Sequence, residues 1–205
     1  MLEKFLKSYW EYFLELEHHV LETKRFVEFD LANKNTYSVE YLKLYQAICS
    51  EIDVVGREIA CERTPKFKAE NATIKKWGFE VQSRFPEIDG VEVVFNGEII
   101  LQPFRDWKYE TYKDSKGRLG LRVVDKKETI TWWRNYNDVK HQRVGLIKGT
   151  KNYAKANQWN LINALSALYI LETKFIAYLS DRTIKEGRNA STYVESSLIK
   201  YNHSN

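Results

Sequence analysis

Arg134 and His141 stand seven positions apart in the stretch TWWRNYNDVKHQR, Thr131 to Arg143. Histidine titrates near neutral pH, so it can take and return a proton under working conditions. Arginine presents a fixed fork of donors that matches phosphate. Together they suit cleavage of a phosphodiester by its own 2′-hydroxyl. The histidine moves the proton at the attacking or leaving oxygen, and the arginine stabilises charge growing on the phosphate. Such chemistry requires RNA, because DNA lacks the hydroxyl. It requires no metal or cofactor, and the chain has no His, Cys or carboxylate spacing of a metal site. Asn135 and Asn137 are candidates to orient substrate or imidazole, and Lys140 and Arg143 to hold phosphate. The structural alternative is that Arg134 pairs with an acid and His141 merely decorates a helix.

Charge points to the same place. Between Thr131 and Ala156 lie Arg134, Lys140, Arg143, Lys148, Lys151 and Lys155 against one acid, Asp138. That local excess is +5, in a chain whose formal net charge is +4. A concentrated basic patch on a near-neutral protein favours a phosphate-bearing partner, although lysine-rich helix surfaces also serve solubility.

The motif needs a rigid carrier. If it is helical, Arg134, Asn137, Asp138 and His141 follow i, i+3, i+4, i+7 spacing and line one face. Trp132, Tyr136 and Val139 then fall on the other, ready to pack. A fully helical segment sets the Arg134 and His141 backbones about 10 Å apart. A second polar group, CSEIDVVGRE, places Glu51, Asp53, Arg57 and Glu58 in an apolar pattern. Glu51 is the candidate acid to support Arg134 or His141, with a solvated face as the alternative. Trp107, Tyr109 and Tyr112 would either stack on bases or cover a seam between sheet and helices. His18 and His19 have no partner ligands and suit a surface or interface role.

Around the motif the periodicity predicts helices. Leu2, Phe5, Leu6, Tyr9, Phe13, Leu16 and Val20 form one stripe over 2–29. Ser38 is the predicted N-cap of a second helix running to Arg63 and stopping before Pro65. A shorter helix is expected over 68–84. Val91, Val93 and Phe95 alternate, Asn96-Gly97 follows, and Ile99 and Leu101 alternate after it, which is a hairpin signal. With a strand over 119–124, residues 88–126 make one small antiparallel β element. The last helix spans 153–181, with Trp159, Ile162, Leu165, Leu168, Leu171, Phe175 and Leu179 as its stripe. The fold class is mainly α, a helical bundle with a small inserted β element, hence α+β overall. One domain covers 1–187 with an insertion at 65–128, and a polar tail, partly disordered by its composition, covers 188–205. The charged N-terminus lacks a signal peptide's apolar core, and no run of about 18 apolar residues suggests a transmembrane helix. Two lone thiols, Cys49 and Cys61, suit a reducing cytoplasm.

Arg134-Asn135 followed by His141 after six intervening residues resembles the signature of the HEPN superfamily of small helical proteins. The order of elements is similar too: two long helices, then the motif just before a final long helix. The resemblance covers 1–63 and 130–182 and leaves out 65–128. It implies a metal-independent endoribonuclease in toxin or phage-defence biology, with Arg134 and His141 catalytic and two protomers bringing their motifs together in a homodimer. It also implies a possible antitoxin partner. Non-catalytic members that bind RNA, nucleotides or proteins supply the alternative. An interaction protein of phage or mobile-element origin, its motif only fixing the helix, is the third reading.

Overall fold

The computed structural model describes residues 1–105, 107–113, 115–117, 119–123, 130–147, 149–187, 189–190 and 194–202. The protein is mainly α with small antiparallel sheets. At its centre is α6 (Gln158–Lys185), in which every residue from Leu161 to Leu171 is buried. A helix apolar on all sides must be wrapped by other elements. By length and composition α6 is long and apolar enough to cross a membrane, which corrects the expectation that no segment qualifies. Yet 78% of that window is buried inside the protein, as in the core helix of a globular fold. Asn157 caps it by accepting from the Asn160 amide at 3.0 Å, so the helix starts five residues later than expected, after a 3-10 turn at Asn152–Lys155. Trp159, expected in the core stripe, stands in the first turn and is exposed.

The N-terminal rod comprises α1 (Leu2–Phe5), a π turn (Leu6–Trp10) and α2 (Glu11–Glu22), and ends in a 3-10 turn at Thr23–Arg25 rather than at 29. The π turn shifts the phase of the stripe. Phe5 and Trp10, five residues apart, are both buried, while Tyr9 is only half-buried. Helix α3 (Val39–Arg63) matches expectation at both ends. The Ser38 hydroxyl accepts from the Tyr41 amide at 3.0 Å, and extended Thr64 ends the helix ahead of Pro65. Helix α4 (Ile74–Arg84) starts later than expected. It lays Trp77 against Gly56 of α3, where an added Cβ would come within 2.5 Å of the indole ring.

Strands β1 (Val93–Phe95) and β2 (Ile99–Leu101) form the expected hairpin. Asn96 and Gly97 have φ of 51° and 78°, and the Glu98 amide donates to Phe95 O at 3.2 Å, as a type I′ turn requires. The expected single β element is in fact two. β3 (Tyr109–Lys113) pairs only with β4 (Leu119–Val123) among the described residues, and both pack on α4. Val124 to Lys126, the end of that expected element, lie outside the described residues. The sheet of β1 and β2 gains its third strand from the tail, where β7 (Ile199–Tyr201) runs antiparallel to β1 with Phe95 opposite Ile199. The polar tail is therefore docked over 196–202, the opposite of disorder there. Buried Glu17 of α2 holds it, accepting from the Ser196 hydroxyl, the Ser197 amide and hydroxyl, and the Leu198 amide. Helix α5 (Thr131–His141) is followed by a minimal hairpin, β5 (Leu146–Ile147) and β6 (Thr150–Lys151). Trp77, Phe104 and Trp107, from the stretch expected to be an insertion, share one buried cluster with α3, α5 and α6.

Candidate functional site

Helix α5 carries the Arg-His stretch, and its back is bolted into the core. Trp132, Trp133, Tyr136 and Val139 are all buried. The Trp132 indole donates to Pro103 O at 2.9 Å, and the Tyr45 hydroxyl donates to Trp132 O. Trp133 meets Trp77 edge-on at 5.8 Å, and Tyr136 meets Tyr45 at 6.1 Å. Burial pushes the Tyr136 hydroxyl up to about 12, with Cys49 and Asp53 adding to the shift. These contacts fix the rotation of α5, so the opposite face is set as well.

That face presents what the spacing predicts. Arg134, Lys140 and His141 are exposed, and Asn135, Asn137 and Asp138 are half-buried. The segment is regular α-helix from Thr131 to His141, so Arg134 and His141 are about 10 Å apart along the axis. They share a face without sharing a turn. Lys140 lies over the Tyr136 ring, its Nζ 5.5 Å from the centroid, and together with His141 it sits in the last turn, where cations are favoured. Arg143 and Lys151 are exposed on the following hairpin. Lys148 lies outside the described residues.

The acids fall elsewhere than expected. Asp138, the single acid of the patch, accepts from Lys155 Nζ at 2.6 Å. That pair ties α5 to the turn before α6 and neutralises Lys155. Glu51, the expected supporting acid, lies with Tyr9 and Glu172 instead, where burial raises all three and the Glu51 charge adds to the shifts of the other two. The carboxylate on the α5 side of α3 is Asp53, which accepts from Arg57 at 2.8 Å and from the Trp77 indole at 2.8 Å. Among the described residues no acid or hydrogen bond engages the His141 imidazole.

The other candidates resolve simply. Trp107 and Tyr109 are buried, the indole donating to the tyrosine hydroxyl at 2.8 Å, so they cover the seam between α4 and β3. His18 and His19 are exposed and pair with Glu15 and Glu22 along their own helix. No group of three or more His, Cys, Asp or Glu among the described residues is placed to hold a metal. A cavity of about 450 Å³ lies between α2 and the tail, lined by Leu14, Glu17, His18 and Ser196 among others.

Sequence reasoning missed two features. One is the Lys155–Asp138 tie. The other is a pair of tyrosines beside the C-terminal end of α5, Tyr37 and Tyr153, whose rings meet edge-on at 5.6 Å. An aromatic next to a basic run was visible at Tyr153. Tyr37 is more than a hundred residues away, and nothing local links the two. Comparison with known family models, curated proteins and solved structures finds no match for this chain.

Proposed function

We propose that the exposed face of α5 is the reacting centre of a metal-independent endoribonuclease, similar to the HEPN proteins and working in the cytoplasm in toxin or phage-defence biology. The observation that carries this reading is the combination of Arg134 and His141 on one solvent face of a helix whose back is locked by four buried side chains. Exposed Lys140 and Arg143 supply phosphate contacts beside it. His141 moves the 2′-hydroxyl or leaving-group proton, and Arg134 stabilises the phosphate as charge develops. Asn135 and Asn137 orient substrate. Because the two catalytic residues lie two turns apart, a homodimer is the economical arrangement, with one protomer's His141 facing its partner's motif. An antitoxin would cover the same face.

A non-catalytic RNA-, nucleotide- or protein-binding module is the second reading. It is favoured by the lack, among the described residues, of a group that orients the His141 imidazole.

The test is cleavage of mixed RNA by purified protein in excess EDTA, beside Arg134→Ala and His141→Ala. Loss of a proton-transfer group costs roughly 10²- to 10⁴-fold. Both variants should therefore fall at least about 100-fold while keeping the wild-type unfolding temperature. Wild type that leaves RNA intact, or variants that cut as fast, would remove the catalytic reading and leave the binding one.

A further inference from the structure

Resting on the RNA reading of the α5 face, we infer that Tyr37 and Tyr153 form a stacking subsite for an unpaired base next to His141. The pair is placed by backbone contacts rather than by chance proximity. The Tyr153 amide donates to Arg143 O at 3.1 Å, so the ring's own residue is hydrogen-bonded two positions beyond His141. Asn152 braces the same loop, its amide donating to Gly145 O and its side chain to Gln142 O, each at 2.9 Å. Tyr37 is held by a bridge to Asn157 and by the Gln158 amide donating to Thr36 O at 2.9 Å.

The geometry suits a flat ligand. The rings are 5.6 Å apart at 85°. In an edge-on pair one ring keeps both faces uncovered by its neighbour and the other keeps one. Tyr37 is 51% exposed, an unusual position for an aromatic that packs only to fill a core. Lys34, Lys140, Arg143 and Lys151 are exposed around the pair and the end of α5. Of the acids nearby, Asp138 is bonded to Lys155, Glu28 to Lys24 and Glu40 to Lys43, and Asp30 caps the Ala32 amide. Aromatic faces flanked by cations are what a single-stranded nucleic acid uses, because every base offers a π-face and every linkage a charge. A duplex hides its bases and gains nothing from the rings. A partner protein would leave the surrounding cations unmatched unless it were acidic.

The subsite predicts discrimination between unpaired and paired RNA that depends on the rings. In a His141→Ala background, which prevents cleavage, a labelled single-stranded RNA 12-mer and its duplex are titrated by fluorescence anisotropy at fixed salt. Tyr37→Ala should weaken the single strand about tenfold and leave the duplex unchanged. Tyr37→Phe keeps the π-face and should bind as the parent does. Tyr153→Ala should act in the same direction, and Tyr37→Leu serves if Tyr37→Ala fails to fold. Equal binding by folded Tyr37→Ala and parent would overturn the subsite. So would a parent that binds no RNA, or one whose Tyr37 proves necessary only for self-association. The two readings separate cleanly. EDTA-resistant, His141-dependent cleavage indifferent to Tyr37 removes the subsite and keeps the nuclease, whereas Tyr37-dependent single-strand binding without cleavage does the reverse.

Discussion

Glu172 makes a sharp test of how the core is balanced. It lies in the middle of α6, is fully buried, and neither carboxylate oxygen has a hydrogen-bond partner among the described residues. The charged group that bears on it is Glu51 from α3, and Glu172 in turn bears on Tyr9 from the π turn. Burial drives its carboxyl well above the ordinary range, and the Glu51 charge pushes the same way. The folded state therefore holds a proton that the unfolded chain releases near its reference pKa of about 4.3. Stability from this group is full below that value and is lost as pH rises toward the folded pKa, at up to about 1.4 kcal/mol per pH unit. That loss accumulates as pH rises through this range, and each kcal/mol lost lowers Tm by roughly 2–4 °C for a domain of this size. Glu172→Gln retains the shape and has no proton to lose, so any cost it carries is independent of pH. The assay is thermal unfolding at half-unit steps from pH 5 to pH 8, where wild type should lose ground steadily against Glu172→Gln. The lower limit keeps out Glu87, whose carboxyl is lowered with Lys174 bonded to it and whose contribution disappears only at more acid pH. The upper limit keeps out Cys49, Tyr45 and Tyr109, which are all raised by burial. Glu51 is also raised by burial and adds slope of the same sign, so the double variant with Glu51→Gln should be flatter still. Parallel profiles for wild type and Glu172→Gln would refute the reasoning, since they would mean that Glu172 finds a compensating partner in the folded protein.

Three further outcomes follow from particular contacts. Gly56→Ala should lower Tm, because the new methyl meets a Trp77 ring that is buried and held by Asp53. Overpacking of about 1–3 kcal/mol outweighs the roughly 1 kcal/mol of helix propensity gained, and a rise in Tm would contradict this. Glu17→Ala should cost about 1.5–3 kcal/mol in lost charge-assisted bonds and expose the Leu198 and Ile199 amides to hydrogen exchange. Unchanged protection of those amides would show that β1 alone retains the tail. Lys140→Ala and Arg143→Ala, in the His141→Ala background, should each reduce the salt slope of single-stranded RNA binding by about 0.7, while Lys155→Ala, already paired with Asp138, should change it less. Equal slopes for all three variants would take the phosphate contacts away from the end of α5.

What could be read along the chain and what could not divides by the range of the force involved. Ser38, Pro65 and Asn96-Gly97 act within a few residues, and the helix ends and the turn they predict are the ones observed. The apolar back of α5 is equally local, since Trp132, Tyr136 and Val139 follow the helical period and are buried. The tail strand is not local. Ser196 to Tyr201 is short and half polar, and it is ordered by a carboxylate some 180 residues away and by the free edge of β1. The phase of the N-terminal stripe fails for a subtler reason, because one π turn moves Trp10 inward at the expense of Tyr9 without any proline or glycine to announce it. Glu51 shows the same limit at the candidate site. Glu51 and Asp53 are two residues apart, so they project to nearly opposite sides of α3. Either could have faced α5. Only the packing of Trp77 and Trp133 across α3 decides that Asp53 does, and that Glu51 turns toward Glu172. A local motif can thus announce which residues share an exposed helix face while leaving its acid partner to whatever the remote core allows, and on α5 the supporting carboxylate expected from Glu51 is turned instead toward Glu172.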